Sequence, residues 1–306
     1  MLFAEELTNW ESWGNIFCSI QVFKPLIDEI LKNEQLIVQG EIENLAPGSN
    51  AVFKVDNLVI KIYAPFETGI DTEYDYNVEL YTMEFANKEG ISVPKIIANG
   101  EFQDKYLFRY IIMEFKSNDI ETCYILSYSI NEKQHLVDKL KKILEKFNKP
   151  INSIVKSITL SNQKEQLKRM QGLNSELIKE LVRYSSKVCC EEIVLVHGDI
   201  TRDNILISKN NDITLIDFAD CVQAPSYYEL PAIIFELFLC DRELVSCFVG
   251  NDDKDTFLDL LIKGLSIHSC CGNILKDYFI RIEIPMDKVD SIKELKKLLK
   301  KELFVL

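Results

Sequence analysis

The residues best equipped for chemistry crowd into one stretch, Ile193 to Asp220, which reads IVLVHGDITRDNILISKNNDITLIDFAD. Three short apolar runs, Ile193–Val196, Ile205–Ser208 and Ile213–Ile216, alternate with polar junctions and read as strand, turn, strand, turn, strand. His197, Asp199, Arg202, Asp203 and Asn204 fill the first junction, and Asp217 and Asp220 close the last. Carboxylates and an amide at the ends of buried strands offer hard oxygen donors, which suit a metal–phosphate site. A plain hairpin with acidic ends would need no such register among four polar residues.

Spacing sharpens the reading. Asp199 precedes Asn204 by five residues, and Asn204 precedes Asp217 by thirteen. The kinase pattern H-x-D-x-x-x-x-N followed by D-F-G gives the first Asp the acceptor hydroxyl, and gives the Asn and second Asp Mg²⁺. Here the motifs are His197-Gly198-Asp199 through Asn204 and Ile216-Asp217-Phe218-Ala219-Asp220. Together they resemble the aminoglycoside phosphotransferase family, the small-molecule branch of the protein-kinase-like fold. The resemblance implies an α+β, two-lobed protein. A five-stranded antiparallel N-terminal sheet would form the nucleotide-binding lobe, 1–115, with a helical extension over 1–33. A mainly helical lobe, 116–306, would hold the catalytic hairpins and the acceptor. It implies Asp199 as catalytic residue, Asn204 and Asp217 as Mg²⁺ ligands, and ATP or GTP as phosphoryl donor. His197 would scaffold the loop through hydrogen bonds. Asp220 would touch metal, substrate or backbone, and Arg202 would face a phosphate or solvent. Glu229, at the start of a helix after Ala224-Pro225, would brace the catalytic loop. Many relatives carry Asp-Pro where this chain has Ala224-Pro225, so one acidic contact is expected to be missing.

The elements that must position these groups lie upstream. Residues 2–33 place Trp10, Trp13, Phe17, Ile20, Phe23, Leu26, Ile27, Ile30 and Leu31 at helical spacing, and Pro25 suits the first turn of a second helix. From Ile37 to Tyr63 the period shortens to that of three antiparallel strands, with turns at 46–50 and at Asp56-Asn57. Gly48, Ser49 and Asn50 lie between the first two strands, where backbone amides can meet phosphate oxygens. An ordinary hairpin turn explains that single glycine equally well. Lys61, in Val59-Ile60-Lys61-Ile62, looks like the strand lysine that contacts nucleotide phosphates, and alternation turns it away from Ile60 and Ile62. The segment Glu73–Asn87 reads as a helix ending at Gly90. The resemblance puts a glutamate about eleven residues before that glycine, which falls on Glu79 as the partner of Lys61. Two further strands surround Gln103-Asp104-Lys105. The second leads to a hinge where, by resemblance, Met113 guards the back pocket and Glu114 and Lys116 offer backbone groups to a base.

Residues 130–186 read as charged helices punctuated by Pro150 and Gly172, with Leu136, Leu140, Ile143, Leu144 and Phe147 as the buried stripe and lysines and glutamates on solvated faces. The tail, Asp287–Leu306, reads as a basic amphipathic helix that packs on the second lobe.

Composition limits the alternatives. The 306 residues are 47% hydrophobic and 27% charged, enough for a large core. No apolar run reaches the roughly 18 residues of a membrane span, and the first ten residues have the acidic Glu5 and Glu6 in place of a basic leader, so a cytoplasmic protein is expected. Nine cysteines, including the vicinal pairs Cys189-Cys190 and Cys270-Cys271, suit reduced thiols better than a disulfide framework or zinc site. A net charge of −13 argues against nucleic acid and is compatible with a cationic acceptor.

The expected reaction is transfer of a γ-phosphoryl group to a hydroxyl of a small molecule, an aminoglycoside first and a metabolite such as choline or a sugar second. A non-catalytic nucleotide-binding protein is a third reading, against which Lys61, Asp199, Asn204 and Asp217 stand together. His-Gly-Asp in place of His-Arg-Asp, with no A-P-E segment after Asp217, argues against a protein kinase.

Overall fold

The computed structural model describes residues 1–45, 48–70, 72–158, 167–168, 170–185 and 192–304. The chain divides into two compact units, Met1–Asn87 with Ser92–Ser117, and Lys88–Ile91 with Asn118–Leu306. The sequence alone places this boundary after residue 115.

The first unit is built on a five-stranded antiparallel sheet in the order β1-β2-β3-β5-β4. Two helices precede it, α1 (Trp10–Gly14) and α2 (Ile20–Asn33). The strands are β1 (Glu43–Asn44), β2 (Ala51–Val55), β3 (Leu58–Ile62), β4 (Ile96–Gln103) and β5 (Leu107–Glu114), with α3 (Thr72–Lys88) between β3 and β4. The alternation of β2, β3 and β5 decides what each sheet face meets. Phe53, Val55, Ile60, Ile62, Phe108 and Tyr110 join one apolar cluster with Phe23, Leu26, Ile27 and Ile30 of α2. Lys61 and Val59, one residue out of step, are not in that cluster, and α3 supplies the partner of Lys61. All five residues of β3 are therefore buried, as expected for a central strand covered on both faces.

Pro25 is not in a first turn. α2 opens earlier, with the Ser19 hydroxyl accepting from the Val22 amide, and Pro25 lies inside the helix. An interior proline costs about 3 kcal/mol. Burying Phe23, Leu26, Ile27 and Ile30 completely returns about 1.5–3 kcal/mol for each side chain, so packing holds the helix through its proline.

In the second unit, α4 (Ile130–Phe147) begins with a reciprocal cap between Ser129 and Glu132. Its buried positions include Leu136, Val137, Leu140 and Phe147, with Ile143 and Leu144 half-buried. Lys133 departs from the expected solvated face. It is buried, with its ammonium 3.0 Å from Asp241 and 2.8 Å from Glu243. The stretch 130–186 is also not helical throughout. The chain leaves the helix at Asn148, and Pro150 disfavours a helical conformation for the residue before it. Lys149 and Lys156 then accept from the Leu195 and Gln223 amides, and Ser157 bridges Gln223. Helix resumes as α5 (Ser175–Ser185). Much of the expected helical segment between, 163–172, lies outside the described residues, as does the Cys189-Cys190 pair. Among described cysteines, Cys221, Cys240, Cys247 and Cys271 are buried free thiols, and Cys18, Cys123 and Cys270 are exposed.

Four short strands follow. β6 (Val194–Val196) pairs with β9 (Val222–Ala224), and β7 (Ile205–Ile207) forms a hairpin with β8 (Ile213–Leu215). A 3₁₀ turn at Ser226–Glu229 and a π-helix at Ala232–Leu237 lead to α6 (Arg242–Val249), α7 (Lys254–Ile267), α8 (Cys271–Arg281) and α9 (Ile292–Phe304). The tail helix begins at Ile292 rather than near Asp287, buries Leu295, Leu299 and Leu303, and packs on α5, α6 and α7. Among the described residues no helix is long and apolar enough to cross a membrane.

Candidate active site

The hairpin register brings the two expected metal ligands to one end. Ile205 pairs with Leu215, and the Asn204 carbonyl accepts from the Ile216 amide at 3.1 Å. Asn204 therefore stands just before β7 while Asp217 stands just beyond β8. Asn204 is buried, and Asp217 is half-buried at φ 61°, a left-handed conformation that Asp tolerates better than most residues. The Asn204 amide nitrogen donates to the Asp199 carboxylate at 2.6 Å and to the Asp199 carbonyl at 3.0 Å. That orientation leaves its oxygen as the acceptor pole, the pole a cation needs.

Asp199 is pushed up to about 7. Burial is the main cause, the charges of Asp220 and Asp217 add to it, and the Asn204 hydrogen bond opposes it. Its carboxyl is thus poised to exchange a proton near neutrality, the range in which a general base works best.

His197 is fully buried between Phe218, with ring centroids 4.8 Å apart, and Phe147, at 6.3 Å. Its Nε2 lies 3.1 Å from the Ile216 carbonyl, and its Nδ1 accepts from the Asp199 amide at 3.3 Å. Those partners fix one neutral tautomer. Burial depresses the ring to about 4, so this imidazole holds the backbone and does not titrate with Asp199.

Glu229, only 1% exposed, accepts from the His197 amide at 2.6 Å and from the Gly198 amide at 3.0 Å. Burial pushes it up to about 7 although both amides, and Asn148 at the end of α4, favour its ionised form. Gly198 sits at φ +79°, and a Cβ there would lie 3.0 Å from the Asp220 carbonyl oxygen and 3.3 Å from the Tyr228 ring. Glycine in this His-Gly-Asp motif is thus required by both conformation and space.

Arg202 donates through Nε to the Glu236 carbonyl, at 3.1 Å, so this part of its guanidinium ties the loop to the π-helix. Asp220 is exposed at the turn after Phe218. Two contributors carried no sequence signal. Asn148 donates to the Leu195 carbonyl at 2.9 Å. His268, beyond α7, contacts the Gly198 carbonyl at 3.0 Å. Neither belongs to a motif, and each follows an ordinary amphipathic helix.

The first unit carries the other expected residues. Lys61 and Glu79 form a buried ion pair at 2.6 Å, with relative side-chain exposures of 7% and 2%. The Tyr63 hydroxyl donates to the same Glu79 oxygen. In the loop before β2, the Ser49 carbonyl accepts from the Trp13 indole at 2.9 Å, Gly48 has open space around it, and Asn50 is buried. Ala46 and Pro47 of that turn lie outside the described residues. Met113 is buried in β5. The Glu114 amide donates to the Lys95 carbonyl, and its carboxylate, held low by Lys116 at 2.7 Å, forms an ion pair with it.

Among the described residues no group of three or more His, Cys, Asp or Glu is gathered to hold a metal. Asn204 and Asp217 supply two hard oxygens, a set that fits Mg²⁺, which commonly completes its shell with phosphate oxygens and water.

Comparison with known proteins bears on one segment and on the fold. Residues 138–250, the stretch holding the His197–Asn204 loop and the β7–β8 hairpin, match the model of the phosphotransferase enzyme family. No curated protein sequence matches the chain. Its fold is similar to the GDP complex of wild-type aminoglycoside 2'-phosphotransferase-IIIa, with a TM-score of 0.60, 16% identity and coverage of 90% of this chain and 97% of that one. It is likewise similar to a choline/ethanolamine kinase family protein from Mesorhizobium loti, with a TM-score of 0.57, 14% identity and coverage of 90% and 95%. A choline kinase from Streptococcus pneumoniae matches with a TM-score of 0.53, 15% identity and coverage of 91% and 97%. The α+β, kinase-like architecture expected from the sequence is thus the one observed.

Proposed function

We propose that this chain, whose segment 138–250 matches the model of the phosphotransferase enzyme family, transfers the γ-phosphoryl group of ATP or GTP to a hydroxyl of a small molecule. The observation that carries this reading is the loop itself. One hairpin sets Asn204 beside the segment of Asp217 and ties Asn204 to Asp199, whose carboxyl is held near neutrality. Asp199 orients the acceptor hydroxyl and takes its proton. Asn204 and Asp217 would hold Mg²⁺, which would neutralise charge on the phosphates. Lys61, fixed by Glu79, contacts the α- and β-phosphates. Gly48, Ser49 and Asn50 approach the phosphates, and the backbone of Glu114 and Lys116 meets the base beside Met113. His197 and Glu229 hold the catalytic loop, and Asp220 stays at its rim. Such a reaction is driven by position and charge more than by covalent chemistry.

Two acceptor classes compete. An aminoglycoside suits the net charge of −13 and the aminoglycoside enzymes among the structural neighbours. A hydroxyl-bearing metabolite is favoured by one feature of the second unit, a cavity of about 590 Å³. Its described lining includes Lys168, Lys276, Gln171, Ser269 and Asn273 and no carboxylate. Two ammonium groups there would repel a polycation and suit a neutral or anionic acceptor.

The test is ADP or GDP release with Mg²⁺, using ATP or GTP against aminoglycosides, choline, sugars and sugar acids, with Asp199→Asn as control. Turnover with one acceptor, lost in the control, supports the reading. Failure to bind either Mg²⁺–nucleotide refutes it.

A further inference from the structure

The peptide that joins Gly198 to Asp199 is held at both poles by buried histidines. Its N–H donates to His197 Nδ1 at 3.3 Å. Its carbonyl lies 3.0 Å from Nε2 of His268, a residue 2% exposed. His268 Nδ1 accepts from the Cys270 amide at 3.1 Å, so the proton resides on Nε2 and the ring donates to Gly198. The ring is stacked on Tyr228, with centroids 4.6 Å apart and planes 23° apart. The Tyr228 hydroxyl accepts from the Ser269 amide at 3.1 Å, so the turn after α7 is fixed on both sides of the imidazole.

This anchor acts where the backbone is otherwise softest. Glycine visits both signs of φ with ease, so the peptide after Gly198 has a low intrinsic barrier to rotation. Glu229 fixes the amides of His197 and Gly198, which precede that peptide. It makes no bond to the Gly198–Asp199 peptide among the described contacts, where the carbonyl depends on His268. Rotation there would swing the Cα of Asp199, and with it the carboxyl, away from its bond to Asn204.

We propose that His268 is a positioning residue for phosphoryl transfer, locking the Gly198–Asp199 peptide and so aiming the Asp199 carboxylate. The inference rests on the reading of Asp199 given above. It also predicts division of labour between two histidines, His197 on the N–H pole and His268 on the carbonyl pole.

The experiment compares His268→Gln with His268→Leu in the full chain. Glutamine retains a donor at about the reach of Nε2, and leucine removes it. Steady-state kinetics with Mg²⁺–ATP or Mg²⁺–GTP, binding of the same nucleotides by calorimetry, and amide hydrogen exchange across 194–204 are measured together. His268→Leu is expected to lower kcat by about 10- to 100-fold, the scale at which a slight misplacement of a reacting group is felt. KM and Kd for the nucleotide should stay within about twofold, as expected when only transition-state alignment is lost. Exchange at the Asp199 amide should quicken, and His268→Gln should recover most of both effects. Leucine kinetics like wild type, or a loss expressed in KM with kcat unchanged, would overturn the proposal. So would a glutamine variant that folds and is as impaired as leucine, because the ring's packing would then be what matters. If wild type binds neither Mg²⁺–nucleotide, the functional reading fails separately, while exchange at Asp199 still reports whether His268 locks the peptide.

Discussion

Replacing Lys61 by methionine would separate the structural role of the buried pair from its chemical one. The Lys61 ammonium meets Glu79 at 2.6 Å, and both side chains are almost fully buried. Removing one partner of such a pair leaves an uncompensated charge and costs about 3–5 kcal/mol. The Tyr63 hydroxyl still donates to Glu79, which places Lys61→Met near the lower end, about 3 kcal/mol. With a denaturant slope of about 2 kcal/mol per molar urea, the midpoint should fall by about 1.5 M. Adding Glu79→Leu removes the orphaned carboxylate, and replacing a buried pair by apolar side chains is commonly neutral or stabilising, so the double variant should return to within about 1 kcal/mol of wild type. Turnover should not return. Losing a charge that stabilises the transition state costs about 10²- to 10³-fold in kcat, and neither variant has that charge. Urea melts and nucleoside diphosphate release, run on wild type, both single variants and the double variant, give the answer. A double variant that regains turnover would refute the assignment of Lys61 to the phosphates. A Lys61→Met change costing under about 1 kcal/mol would refute the treatment of the pair as desolvated.

Three shorter expectations concern the loop. Asp199→Asn should leave calorimetric nucleotide affinity nearly unchanged and lower turnover by about 10²-fold or more; undiminished turnover would remove its role. Gly198→Ala should cost about 1–3 kcal/mol in thermal or urea unfolding, because a Cβ must fit at φ +79° within 3.0 Å of the Asp220 carbonyl, and an unchanged melt would contradict the geometry. The pH dependence of stability sets His197 against the two raised carboxyls, Glu229 and Asp199. His197 falls from its ordinary 6.5 to about 4, so its contribution is complete above pH 6.5 and is lost as pH falls through 4. Glu229 rises from 4.5 to about 7, so its contribution is present below pH 4.5 and is lost as pH rises through 7. Each is worth about 3 kcal/mol across its window; these two offset one another, so the net fall in wild-type stability from pH 4.5 to 6.5, about 3 kcal/mol, comes from Asp199, which is also raised to about 7. Glu229→Gln should flatten the profile, and adding Asp199→Asn should expose the His197 slope, with stability rising by about 3 kcal/mol from pH 4 to 6.5; a flat double-variant profile would show that His197 does not carry that slope.

What the sequence reveals of this molecule depends on distance along the chain. Asn204 and Asp217 flank one short hairpin, so their spacing alone brings them to the same end. Lys61 and Glu79 belong to a strand and the helix that follows it, and strand alternation already turns Lys61 away from Ile60 and Ile62. Glu229 was approached through resemblance, and its two amide partners appear only in three dimensions. Pro25 misled because proline is read as a helix start, whereas apolar burial along α2 outweighs its local cost. Lys133 misled because a lysine in a charged helix looks solvated until Asp241 and Glu243 arrive more than a hundred residues later. His268 and Asn148 are the strongest case. Each works through backbone carbonyls, and a carbonyl has no residue type for a motif to specify.

The braces around Asp199 also imply an order of assembly. Gly198 grants the turn its φ of +79° and, by the same freedom, permits other conformations. The restraining groups come from His197, Glu229 and His268, spread over more than seventy residues, and all three are buried. Hydrogen bonds of this kind are strong only once water is excluded. The aspartate can therefore be aimed only after β6, the turn before the π-helix and the end of α7 have docked around the loop. Catalytic competence should then appear late in refolding, after secondary structure has formed. Loosening the end of α7 should lower turnover before it lowers helix content, because the carbonyl of Gly198 loses its donor while the helices themselves remain intact.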